Sequence, residues 1–110
     1  MGSDTRFLHT VFFWLRESSD AAAAEKLADG ARRHLSGIPG VRRIAIGFPA
    51  GTQRSVVDNS FGVSLHLEFA NATDHDVYQG HPDHHRFIEE CSVLWERVVV
   101  YDSIVKKQSP

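Results

Sequence analysis

Tyr78-Gln79-Gly80-His81-Pro82-Asp83-His84-His85-Arg86-Phe87 ends one helix and begins another. Glycine is a poor helix former, and proline is tolerated in the first turn of a helix, where its missing N–H is not needed. Upstream, Asn71-Ala72-Thr73-Asp74 is a cluster of N-cap residues, so a short helix runs from there to about Tyr78. Downstream, Phe87, Ile88, Cys91, Leu94, Trp95 and Val98 keep helical spacing, which carries the restarted helix to about Val98. This broken helix separates two strand-like stretches. Before it, Phe61, Val63, Leu65, Leu67 and Phe69 form one face and Gly62, Ser64, His66 and Glu68 the other. After it, the run from Val98 to Val105 is rich in β-branched residues and reads as the closing strand.

The first half repeats the plan. Phe7 to Leu15 reads as a strand, with His9, Val11, Phe13 and Leu15 on one face and Leu8, Thr10, Phe12 and Trp14 on the other. Ser18-Ser19-Asp20 supplies caps for an amphipathic helix from about 19 or 20 to 35, with Ala24, Leu27, Ala28, Ala31 and Leu35 on its apolar stripe. Gly30 weakens it, by roughly 1 kcal/mol relative to alanine. Gly37-Ile38-Pro39-Gly40 ends it, and Val41 to Phe48 alternates as a second strand. Pro49 to Ser60 is a polar loop, and residues 1–6 and 106–110 read as loose ends.

The order is β-α-β-β-α-β. An α+β, ferredoxin-like fold follows, with one four-stranded antiparallel sheet and both helices on one face. The other face then carries Thr10, Phe12, Trp14, Ser64, His66, Glu68 and Tyr101. Large aromatics on an open sheet face predict a homodimer that packs sheet on sheet, closing a dimeric α/β barrel.

Composition bounds the rest. The 110 residues make a single domain over 1–110, with a core at about 7–105. The 12 lysines and arginines are interleaved with 14 acids, so there is no basic stripe for nucleic acid. One cysteine, Cys91, excludes an internal disulfide and reads as a small core residue. No apolar run approaches the ~20 residues of a membrane span, and no signal-peptide pattern is legible, so the expected location is cytoplasmic, without membrane contact. Of the seven histidines, His81, His84 and His85 offer helical spacings that can suit a metal, with His75 and Asp83 nearby. Nothing completes a zinc pattern such as His-Glu-x-x-His, so no metal is expected.

An early histidine in the first strand, Ile38-Pro39-Gly40 after the first helix, the Phe69 to Tyr78 spacing, His81-Pro82-x-His84-x-x-Phe87 and the closing Val100-Tyr101-Asp102 together resemble the stress-responsive A/B barrel domain (Dabb) family, over about residues 7 to 105. The resemblance implies a dimeric barrel. Its polyketide cyclase branch, the olivetolic acid cyclase type, implies a lyase that uses no metal or organic cofactor and closes a linear poly-β-ketoacyl chain by an aldol step. The matching working positions are His9, Tyr78 and His84. The resemblance puts Phe87, Trp95 and Val98 of the last helix on the pocket wall, with Val11, Phe13, Leu27 and Leu65 completing it. Leu27 and Ala31 stand where that branch has large aromatics, and Glu90 where it has a small apolar residue, which implies a differently shaped and more polar pocket.

The chemistry suits these residues. An imidazole titrates near working pH, so a neutral His84 can take a proton from carbon beside a carbonyl. The Tyr78 hydroxyl can donate to the enolate oxygen, and His9 can orient the carbonyl. Two other readings fit the same residues: a non-catalytic small-ligand-binding or stress-associated dimer, and a cofactor-free monooxygenase or haem-related enzyme of the same fold.

Overall fold

A computed structural model describes residues 5–106. The elements are β1 (Thr5–Leu15), α1 (Ala21–Leu35), β2 (Arg43–Gly47), β3 (Val63–Phe69), α2 (Ala72–Gly80), α3 (Pro82–Cys91) and β4 (Trp95–Lys106), with a 3-10 turn at Ser92–Leu94. The sheet order is β2-β3-β1-β4, and every neighbouring pair is antiparallel. This is the ferredoxin-like arrangement expected.

Hydrophobic alternation sets the two faces of β1. Phe7, His9, Val11, Phe13 and Leu15 are buried beneath the helices, opposite Phe69, Leu67, Leu65 and Val63 of β3. The core adds Leu27, Ala31 and Leu35 of α1, Ile38, Tyr78 of α2, and Phe87 and Cys91 of α3. Asp20 caps α1 by accepting from the Ala23 N–H at 2.9 Å, and Asn71 caps α2 by accepting from the Asp74 N–H at 2.9 Å. The turn after α1 requires glycine at Gly40, whose φ is +95°.

Four expectations need correction. First, the last helix does not reach Val98. α3 stops at Cys91, the Arg16 N–H and guanidinium bind the carbonyls of Leu94 and Val93, and Trp95 to Lys106 form a strand along the whole of β1. Helical spacing of apolar residues is outweighed here by β-branched content and by the pairing that β1 offers. Trp95 and Val98 therefore belong to β4.

Second, β1 and β4 extend into the expected loose ends: Thr5 pairs with Lys106 and Arg6 with Val105. The remainder of those ends, residues 1–4 and 107–110, lies outside the described residues. Third, β2 is shorter than expected, and β3 begins at Val63. Phe61, free of the pleat, packs edge-on against Phe12 on the open face, at 5.0 Å between centroids. Fourth, Glu90 does not make the pocket polar. It pairs with Arg33 of α1 at 2.7 Å and lies 3.3 Å from His34 Nε2, tying α3 to α1.

The open face carries Phe12, Trp14, His66 and a 63% exposed Tyr101. The Arg97 guanidinium sits over the Trp14 ring at 4.3 Å, and the Trp14 indole N–H donates to Ser60 Oγ. No helix among the described residues is long and apolar enough to cross a membrane.

Candidate functional site

The helices cover β3 and β1 but leave the edge strand β4 partly bare, with Val98 41% and Val100 44% exposed on the helix side. Between that bare edge and the helices lies a cavity of about 130 Å³. His9, Val11 and Phe13 of β1 and Leu65 of β3 form its floor. Tyr78 and Gln79 of α2, with His84, Phe87 and Ile88 of α3, lie on the helix side, and Trp95, Val98 and Val100 of β4 close it.

A bulge aims two of these residues. Strict alternation would put Trp95 and Val98, three positions apart, on opposite faces of β4. The β1–β4 register shifts between Trp14, paired with Arg97, and Leu15, paired with Trp95, so Glu96 is the extra residue. Trp95 is thereby returned to the helix side, 4.7 Å from the Phe13 ring and 5.8 Å from Phe87.

The helix break aims the polar groups. His81 ends α2 with its N–H on the Tyr78 carbonyl, and its side chain accepts from the Asp83 N–H at 3.0 Å to cap α3. Tyr78 and His84 thus come from two helices and meet edge to face at 4.9 Å. His85 is exposed, and His81 serves the caps. Of the residues singled out in the sequence, His9, Tyr78, His84, Val11, Phe13, Leu65, Phe87, Trp95 and Val98 surround this one cavity. Leu27 lies in the core with no exposed surface, outside the cavity lining.

Burial sets the protonation states. It holds His84 below the ordinary imidazole value, with His85, His9 and His75 adding repulsion, so a neutral base is favoured. His84 Nδ1 is buried and without a hydrogen-bond partner among the described residues. Burial pushes the Tyr78 phenol well above its usual range, so it remains an O–H donor. His9 is 5% exposed, and its Nδ1 donates to Asp102 Oδ1 at 2.6 Å, which fixes its orientation.

Two residues named in the sequence for other reasons were not placed beside His9 by sequence reasoning. Asp102 reaches His9 because the two are paired across β1 and β4. His75 is buried, stacks on Phe7 at 4.4 Å, and brings Nε2 to 3.1 Å from His9 Nδ1. Its place one turn before Tyr78 on α2 was the available signal, since residues three apart share a helix face.

A larger, shallower cleft of about 680 Å³ lies between the start of α1 and the loop before β3, beside Leu15, Asp20, Glu25 and Phe48. No histidine or tyrosine lines it.

A family model described as Stress responsive A/B Barrel Domain matches residues 7–105. Among solved structures, a Dabb family protein with a ferredoxin-like fold from Mesorhizobium loti has a TM-score of 0.73 at 25% identity, covering 90% of this chain and 95% of that one. A dimeric ferredoxin-like protein of unknown function from Thermobifida fusca has a TM-score of 0.77 at 14% identity, over 96% and 95% of the two chains. The hydroxynitrile lyase of Passiflora edulis has a TM-score of 0.75 at 17% identity, over 96% and 97%. The last two share the fold alone. No curated protein matches the chain. With the family's pattern matched from the first strand through the last, the chain belongs to the stress responsive A/B barrel domain family.

Proposed function

We propose that this protein is a lyase or cyclase that works without an organic cofactor, by proton transfer from carbon beside a carbonyl. The observation that carries this reading is the convergence of His9, Tyr78 and His84 on one apolar-walled cavity. Neutral His84 takes the proton from carbon, the Tyr78 hydroxyl donates to the developing enolate oxygen, and His9, braced by Asp102, orients the carbonyl. The enolate carbon then attacks a second carbonyl of the same chain, or expels a leaving group, and the proton on His84 returns to the product oxygen or the leaving group.

Cavity size bounds the substrate. About 130 Å³ is close to an engineered cavity of roughly 150 Å³ that holds benzene. One ring or a short ketone fits, and a longer polyketide-like chain has its exit over the exposed Ile88, Val98 and Val100. A porphyrin is larger than the enclosed part of this cavity. The hydroxynitrile lyase on the same fold adds support for lyase chemistry.

The test is turnover of β-diketones and aryl β-ketoacyl thioesters by chelator-treated protein. Loss of roughly 10²–10⁴-fold in kcat on His84→Gln, with His85→Gln unaffected, is the expected result. Ligand-induced thermal shifts without turnover would instead identify a binding protein. Turnover untouched by His84→Gln would remove His84 as the base.

The working form in this reading is a homodimer closed over the open face through Phe12, Trp14 and Tyr101. The Thermobifida fusca relative and one from Bacteroides fragilis are described as dimeric. Sedimentation at micromolar concentration should give twice the chain mass, and Phe12→Asp should halve it. A wild-type monomer would refute the interface.

A further inference from the structure

His9 lines the cavity, and the neighbours of one ring nitrogen decide whether the other donates or accepts there. A neutral imidazole carries one hydrogen, so an N–H at Nδ1 leaves a lone pair at Nε2, and the reverse. His9 Nδ1 meets two groups, Asp102 Oδ1 at 2.6 Å and His75 Nε2 at 3.1 Å. His9 Nε2 has no protein partner among the described residues and is not one of the buried, unpartnered atoms among them, so it faces open space.

Both groups at Nδ1 are acceptors. The Asp102 carboxylate has no hydrogen to give. His75 Nε2 accepts from the Gln79 amide N–H at 3.1 Å, and so holds a lone pair. Burial, with repulsion from His9 next, holds His75 below the ordinary imidazole value, in keeping with a neutral ring. Phe7, stacked on His75 at 4.4 Å, and Phe69, edge-on at 5.4 Å, hold that ring in place. A lone pair at His9 Nδ1 would face a carboxylate and a second lone pair. The hydrogen therefore sits on Nδ1, and the nearer carboxylate takes the larger share of it. His9 Nε2 is left as a hydrogen-bond acceptor.

We infer that Asp102 is a positioning residue that fixes the accepting tautomer of His9, and that the cavity thereby selects a ligand with a hydroxyl group to give to His9 Nε2. The matching donor is Tyr78. Its ring lies 5.7 Å from the His9 ring, and its hydroxyl has no protein partner among the described residues. A carbonyl oxygen toward Tyr78 and a hydroxyl toward His9 satisfy both groups, which is the pattern of a hydroxycarbonyl compound. A simple ketone leaves the buried His9 acceptor unpaired, and that costs affinity. The assignment rests on the acid–base reading for what the cavity does and adds what the cavity prefers to hold. The product oxygen that takes the proton from His84 becomes such a hydroxyl, and His9 is placed to bind it.

Two measurements on the full chain test this, both at about pH 8, above the ordinary imidazole value. The first is nitrogen-15 NMR of protein labelled in its imidazole rings, with the His9 signals identified by their loss in His9→Gln. They should show the hydrogen on Nδ1 and a lone pair on Nε2, and Asp102→Asn, whose amide can donate to Nδ1, should shift hydrogen toward Nε2. The second is the affinity of three ring-sized probes: phenol, which donates and accepts, anisole, which only accepts, and toluene, which does neither. Phenol should bind roughly 3–10-fold more tightly than anisole, the worth of one hydrogen bond. Asp102→Asn should reduce that ratio and leave toluene binding unchanged, which a merely structural role would not do. Asp102 is 40% exposed, so this variant serves even where His9→Gln does not fold. An N–H at His9 Nε2 in the wild type, phenol that binds no better than anisole or not at all, or a ratio unchanged in Asp102→Asn would overturn the assignment. Neither measurement involves turnover, so its failure is distinguishable from failure of the acid–base reading, which the kcat of His84→Gln tests.

Discussion

Replacing Gly30 with alanine asks whether helix propensity or packing governs the middle of α1. Propensity alone predicts stabilisation of about 1 kcal/mol, because glycine in a helix interior gives up more backbone freedom than alanine. The structure reverses the sign. Gly30 is buried where α1 crosses α3, and a Cβ there would overlap the Cys91 Sγ, with Glu90 Oε2 next at 3.5 Å. Cys91 is 2% exposed, and its sulfur moves about a single torsion within a packed site. Overpacking of this kind costs about 1–3 kcal/mol. Net of the propensity gain, Gly30→Ala should destabilise by about 0–2 kcal/mol. In a Cys91→Ala background the overlap is gone, and the same change should stabilise by up to about 1 kcal/mol. The four proteins form a double-mutant cycle with an expected coupling of about 1–3 kcal/mol. Urea unfolding measures it, at one fixed protein concentration because the proposed dimer would make stability depend on concentration. A stabilised Gly30→Ala single mutant, or coupling within about 0.5 kcal/mol of zero, would show that the sulfur contact is not what requires glycine.

Acid stability should report the burial of His84. Its pKa is lowered in the folded chain, whereas in the unfolded chain it lies near the ordinary value of about 6.5. The unfolded state therefore binds the extra proton first, and stability is complete above about pH 6.5 and is lost as pH falls toward the folded-state pKa. His84→Gln should flatten that acid limb in urea titrations; an unchanged slope would contradict the burial argument. Asn71→Ala removes the cap on the Asp74 N–H and should cost about 1 kcal/mol, while Asn71→Asp should retain most of it. Equal stability of all three proteins would mean that tertiary contacts alone hold the start of α2.

Local chemistry made most of the fold legible in the sequence. Period-two alternation places the two faces of β1 and most of β3, and Asp20, Asn71 and Pro82 mark three helix starts, because these features act over a few neighbouring residues. The same locality explains the family resemblance: Tyr78 and His84 flank the Gly80–Pro82 break, and His9 sits on the buried face of β1. Long-range pairing decided the rest. The run from Val93 to Val98 satisfies helical spacing, and only the length of β1 beside it makes Trp95 and Val98 strand residues. The Glu96 bulge, which returns Trp95 to the cavity, is a property of two strands and is not written in either one. The histidine cluster that is dense in sequence, at His81–His85, is dispersed by the helix turn into a cap at His81, the cavity at His84 and the surface at His85. The denser spatial cluster of His9, His75 and Asp102 joins residues 66 and 93 positions apart. Sequence spacing reports neighbours on one element; which elements bring their faces together is set by burial of the whole apolar core, and that is a tertiary quantity.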